Sequence, residues 1–408
     1  MARRHKLRRT LGIFLVTIYG LGNIVGAGIY ALIGKVAGEA GMATPLAFLL
    51  SMLIASFSAL SFAELSSLHP YSEGVSAYVH RAFKRKSVSM AVGLLMMVAT
   101  IVSAATLARA FGGYAFSSTG IIMPIGSTLI ILVLGFIASW GVKESLVFAA
   151  VHTLIEIAGL IAIIWFGKET LGVAFANPSA MIDIRAVGMT GLLSGAFLAF
   201  YAYIGIEDMV HLSEETKNPR FTMPMAIVSA MTIATVLYIL IAIVATNTIP
   251  TEQLQASTAP LSLVFNKITN SPAWIITIIA LTATAGGVLA HLISGSRLLY
   301  GMAEVGWIHK RLAIVHERRQ TPSLAIIVMV IASSLLAIFF NLTALAATTS
   351  YLILIVFAIV NLSLIYWKIK HRRLQRPIFS VPLVVPILGL LFSMTLLATQ
   401  TIDLFNLL

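Results

Sequence analysis

Four glycines within nine residues, Gly20, Gly22, Gly26 and Gly28, interrupt the apolar stretch 11–34. Each costs roughly 1 kcal/mol of helix propensity against alanine. Such a run predicts a membrane helix that is broken, with backbone N–H and C=O groups left free. Free backbone at membrane depth is tolerated only where it lines a cavity or binds something, so this run is the first candidate binding site. A second interruption stands at Gly205 within GLLSGAFLAFYAYIGIEDMVHL, where Glu207 and Asp208 precede the end of the apolar run. Close helix packing by a small residue is the alternative reading there. Glu156 lies about halfway along HTLIEIAGLIAIIWFG, away from both ends. A carboxyl at that depth can take up and release a proton in turn. His152 precedes it by one turn on the same face, at i, i+4 spacing. The pair reads either as a proton-exchanging couple or as a hydrogen bond that fixes helix packing.

The elements that must hold these groups are membrane helices. Of the 408 residues, 59% are hydrophobic and 10% charged, and the mean hydropathy is +0.97, which places the chain among all-α integral membrane proteins. Apolar runs of membrane length number eleven, at 11–36, 43–66, 87–113, 119–139, 145–166, 189–211, 224–247, 272–302, 323–340, 346–367 and 380–402. The formal charge of +12 does not point to nucleic acid, because the basic residues sit in clusters between spans. Arg3, Arg4, Lys6, Arg8 and Arg9 precede the first span. Further clusters are Arg81 to Lys86, Lys143, Lys217 with Arg220, Lys310 to Arg319, and Lys368 to Arg376. These fall in alternate loops and hold most of the 27 Lys and Arg, which predicts that they and the N-terminus are cytoplasmic. With an odd span count, the C-terminus is expected on the opposite side. The ARRHKLRR start followed by a long apolar run predicts a retained first span rather than a cleaved leader.

Three motifs in order resemble the amino acid–polyamine–organocation superfamily of transporters. They are Gly20-Leu21-Gly22-Asn23-Ile24-Val25-Gly26-Ala27-Gly28-Ile29-Tyr30; Phe62-Ala63-Glu64-Leu65 with Pro70, Gly74 and Tyr78; and Tyr201-Ala202-Tyr203-Ile204-Gly205-Ile206-Glu207, followed by Glu214 to Arg220 and Pro224. The resemblance implies two inverted five-helix repeats with discontinuous helices 1 and 6 and alternating access around a midplane site. It divides the chain into a basic N-terminus (1–10), a first repeat (11–186, helices 1–5), a second repeat (187–368, helices 6–10) and helix 11 (369–408). Most members have twelve helices, and this chain is expected to carry about eleven. The implied activity is secondary transport of an amino acid, by proton-coupled symport or by exchange, in the plasma membrane. A polyamine or organic-amine exchanger and a non-transporting receptor are the alternatives.

A zwitterion at membrane depth needs both charges met. Gly26, Ala27 and Gly28, where the helix restarts and its N–H groups are free, suit the carboxylate. Carbonyls near Asn23 and Ile24 on the first helix, with Tyr201, Ala202, Tyr203 and Ile204 on the sixth, suit the ammonium. The family implies an aromatic lid at or near Tyr201. His291 resembles a pocket-facing position where some relatives carry a large aromatic, or else is a histidine hydrogen-bonded between helices. Ser103 and Thr106 line the pocket or serve packing. Some proton-coupled relatives have a lysine near the point where Glu156 stands, and sodium-coupled ones hold sodium there. Glu156 departs from that pattern, so the lysine mechanism does not transfer directly. A carboxyl at that depth can exchange a proton in its place, and the coupling ion is expected to be a proton, with sodium left open. Glu207 matches a proton-sensitive gate in some relatives; its alternative is a charge that stabilises a helix N-terminus. Glu214 and Glu215 with Lys217 and Arg220 form an ion-pair gate or a solvated loop. Arg297 could reach Glu64, while Arg109 is expected to snorkel outward.

Enzyme chemistry has no support. The chain has no cysteine, no HExxH or GxSxG pattern and no His and acid cluster at metal-ligand spacing, so no cofactor or metal is expected. Repeated filter motifs of a channel are missing as well. The expected partners are an amino acid and the lipid bilayer, with oligomer formation left open.

Overall fold

The computed structural model describes residues 9–68, 74–140, 146–177, 179, 184–213, 215–316, 319, 321–370 and 379–406. Arg3, Arg4, Lys6, Arg8, Pro70, Lys143, Glu214, Arg318, Arg372, Arg373 and Arg376 lie outside the described residues, as does the side chain of Ala27.

Long apolar runs become helices because a backbone in lipid must satisfy its own hydrogen bonds. The first five spans are α1 (Ile13–Ala40), α2 (Thr44–Leu68), α4 (Lys86–Thr119), α5 (Met123–Trp140) and α6 (Leu146–Phe166), with α3 (Gly74–Phe83) in the connection before α4. After α7 (Lys168–Ala176), the sixth span is α8 (Gly188–Phe200), a 3₁₀ turn at Tyr201–Tyr203, and α9 (Ile206–Met209). α10 (Pro219–Thr248) is the seventh. α11 (Thr251–Ala256) and α12 (Pro260–Thr269) lead to α13 (Trp274–Glu304), α14 (Ser323–Phe339), α15 (Leu342–Lys370) and α16 (Val384–Asn406). Among the described residues, nine stretches are long and apolar enough to cross a membrane, one of them covering Gly28–Leu68, and two shorter apolar helices are Ile13–Gly26 and Ser323–Phe339. Divided at the Gly41–Ala43 turn between α1 and α2, these correspond to the expected eleven spans. Among the described residues the regular structure is helical apart from one bridge between Leu11 and Thr216.

Both expected discontinuities are present, but the first is narrower than the glycine run suggested. Within α1 only Gly26 leaves helical geometry, at φ −30 and ψ −135. Gly20, Gly22 and Gly28 stay helical and serve close packing. A β-carbon at Gly20 would strike the Met209 side chain, one at Gly22 the Thr153 hydroxyl, and one at Gly28 would lie 2.8 Å from Ala202 Cα. In the sixth span the chain is extended at Ile204 (φ −67, ψ 142) and left-handed at Gly205 (φ 117) before α9 starts. Glycine is required there: a β-carbon would also meet the Asn23 carbonyl oxygen at 2.6 Å.

α1 is the hub, packing against α10, α8, α6 and α13, and the sixth span is the most enclosed of the long apolar stretches. Hydrogen bonds join several of the connections that carry basic residues to one another and to neighbouring helix ends. Thr10 and Leu11 N–H donate to Glu215 O, and Lys217 N–H donates to Leu11 O. Ser67 Oγ donates to Arg220 O and accepts from Phe379 N, while Thr321 Oγ1 donates to Ser139 O. The partner of Glu64 differs from the expected Arg297. Glu64, 1% exposed, pairs with Lys368 Nζ at 2.7 Å and accepts from Val381 N at 2.8 Å. Arg109 is partly buried, and its Nη1 is buried without a hydrogen-bond partner among the described residues.

Candidate functional site

A cavity of about 360 Å³ lies where the two broken spans meet. α1 lends it Tyr19, Gly22, Asn23, Ile24, Gly26 and Gly28, and the sixth span lends Tyr201, Ile204, Gly205 and Asp208. Ser103 and Leu107 come from α4, His152, Thr153 and Glu156 from α6, and Thr282, Gly286, Gly287 and His291 from α13. Most residues singled out from the sequence are therefore brought together, from helices far apart in the chain.

The helices supply backbone first. A break at Gly26 frees the Ile24 carbonyl from its i+4 partner, and the break at Ile204 and Gly205 does the same for Ala202. Buried carbonyls need donors, and one side chain serves both. Tyr238 Oη, on α10, donates to Ile24 O at 2.6 Å and to Ala202 O at 2.9 Å, sharing its single hydrogen. Its ring packs edge-on to Tyr203 at 5.3 Å and against Phe48 at 5.6 Å. Tyr238 is not among the residues that the sequence motifs single out. The available signal was a tyrosine in the middle of an apolar span, whose hydroxyl must find an acceptor. Past the Gly26 kink, the first N–H groups of the resumed helix face no preceding turn of ideal geometry, which suits an anion. A β-carbon at Gly26 would meet nothing within 4 Å, so the backbone there is open to the cavity.

A polar chain closes one wall. Ser103 Oγ lies 2.9 Å from Tyr201 Oη and 2.9 Å from His291 Nε2, joining α4, the sixth span and α13. Tyr201 and Ser103 are both buried. Thr106 is turned to its own helix and donates to Val102 O. On α6, His152 Nδ1 stands 3.3 Å from Glu156 Oε1, as the i, i+4 spacing predicts. Glu156 Oε2 is buried with no hydrogen-bond partner among the described residues, and so is Asn23 Nδ2. Tyr30 Oη donates to the Glu156 backbone carbonyl at 2.7 Å, tying the resumed half of α1 to α6, and Tyr114 Oη donates to Tyr30 O at 2.9 Å.

Besides Thr106, three of the sequence candidates do not line the cavity. Ala202 packs under Gly28. Tyr203 is fully buried behind the break and donates to Phe48 O at 3.2 Å. Glu207, 3% exposed, turns back so that its Oε2 accepts from Gly205 N at 3.0 Å, a carboxylate cap on the start of α9. Its neighbour Asp208 faces the cavity instead.

A family model described as amino acid permease matches residues 11–404. The chain is 29% identical to the methylthioribose transporter of Bacillus subtilis, over 95% of this chain and 87% of that protein. It is 27% identical to a branched-chain amino acid permease of the same organism, over 96% of this chain and 88% of that one. With the mouse cationic amino acid transporter 4 it shares 29% identity over 89% of this chain and 60% of the relative.

Proposed function

The chain belongs to the amino acid permease family, a family of transporters rather than enzymes, and on that premise we propose that it moves an amino acid across the membrane by alternating access around the cavity between its two broken helices. The observation that carries this reading is the meeting of the breaks at Gly26 and at Ile204 and Gly205 around one cavity. Discontinuous helices with their free ends at mid-membrane are how secondary transporters hold a charged solute. The ligand carboxylate sits against the helix resumed after Gly26. The ammonium sits among Asn23, Ile24, Tyr201 and Ile204, with Tyr238 as the donor it must compete with or join.

The inverted-repeat division at 11–186 and 187–368 belongs to the same proposal, as do a cytoplasmic N-terminus and a plasma-membrane location. The fall of the basic clusters in alternate loops of the sequence supports that orientation. Proton coupling through Glu156, by symport or during exchange, is supported by its depth, its free Oε2 and its contact with His152. Glu207 acts as a cap in this geometry, and a gating role for it remains part of the proposal.

The test is transport in liposomes. Purified protein should exchange internal for external labelled amino acid across a panel of the twenty standard amino acids and common polyamines, with and without proton and sodium gradients. Gly26→Val, which fills open cavity space, should abolish that exchange while leaving the detergent melting temperature within a few degrees of wild type. If no member of the panel moves or binds, the substrate class is wrong.

A further inference from the structure

Two carboxylates, Glu156 and Asp208, line the cavity, and no lysine or arginine does so among the described residues. Their surroundings differ. Glu156 is 2% exposed and has the His152 ring at 3.3 Å, with one oxygen left unpartnered. Asp208 stands on the short α9, three residues beyond Gly205, and lines the same cavity. Glu207 is its neighbour along α9, and the imidazole of His291 lines the same cavity. Asp208 has no lysine or arginine partner among the described residues.

An amino acid head group is neutral overall and spends its two charges on the backbone of the two breaks. That leaves the cavity acidic in a medium where an uncompensated charge is costly. A neutral substrate side chain leaves this imbalance in place, whereas a side-chain ammonium or guanidinium removes it through a charge-assisted hydrogen bond. Glu156 is the poorer partner, being already engaged with His152 and enclosed on α6. We propose that Asp208 is a specificity-determining residue and that the transported amino acid carries a positively charged side chain. This inference rests on the transporter reading above.

Full-length protein in liposomes should take up labelled arginine or lysine about tenfold or more better than citrulline, the uncharged isostere of arginine, or leucine, because a site built for a charged partner rejects its neutral analogue. Asp208→Asn should bring that ratio close to one, and Asp208→Glu should retain it, each with its melting temperature measured alongside. If the wild type carries citrulline or leucine as well as arginine, or if Asp208→Asn keeps the preference, the inference is overturned while amino acid transport stands. If no amino acid moves, the transporter reading itself falls and the inference with it. Should Asp208→Asn fail to fold, the arginine-to-citrulline ratio of the wild type decides the matter.

Discussion

At the scale of single residues, Glu156 separates a coupling role from a structural one. Its Oε1 meets His152 and its Oε2 meets nothing among the described residues. A purely structural carboxyl at this depth would be expected to use both oxygens. Glu156→Gln keeps the size of the side chain and an acceptor for His152 but cannot exchange a proton. Exchange of internal for external amino acid should therefore stay within about twofold of wild type, while acceleration by an imposed pH gradient is lost; an unchanged pH dependence would make Glu156 structural. The pair was legible from i, i+4 spacing inside an apolar run, because helix geometry converts that spacing directly into contact. Asp208 was not legible in the same way. Which of two adjacent carboxylates faces the cavity depends on how the left-handed turn at Gly205 sets the start of α9. That orientation has no signature in composition or periodicity.

At the scale of elements, the two breaks behave as a unit because α10 holds them. The glycines and carboxylates that disrupt apolar runs made both breaks visible in sequence. Their mutual tie was not, since Tyr238 lies 214 residues from Ile24 and sits in an otherwise ordinary span. Tyr238→Phe preserves the ring contacts with Phe48 and Tyr203 and removes only the hydroxyl. Two buried carbonyls, Ile24 O and Ala202 O, then lose their donor, at a cost of about 1–3 kcal/mol. The ligand-free variant should melt at a lower temperature than wild type in detergent. Added substrate should recover more of that loss than it adds to the wild type, because its ammonium supplies the donor the variant lacks. Equal melting temperatures, or equal stabilisation by substrate, would mean that the tie contributes nothing to the site.

At the scale of the whole molecule, span number and position were readable because hydropathy over a membrane's thickness leaves few alternatives. The short helices α3, α7, α11 and α12 were not, because their sequences lack a long apolar run and are shaped by the spans they pack against. Assembly of the last span was also hidden. Glu64, in a motif shared by the resemblance, turns out to dock the connection between α15 and α16 onto the end of α2, through Lys368 Nζ, Val381 N and Ser380 Oγ. Its carboxylate is 1% exposed and the Lys368 side chain 15%, so the pair is nearly dry. Removing one member of such a pair strands the other charge. Glu64→Gln alone should therefore destabilise the protein by roughly 2–4 kcal/mol, after discount for the partly exposed lysine. Adding Lys368→Met removes the stranded cation and should return much of that loss, so the two changes together cost less than their sum. A melting series of the wild type, both single variants and the double variant reads this directly: strict additivity would show that Glu64 anchors α16 through its backbone bond to Val381 and not through the lysine.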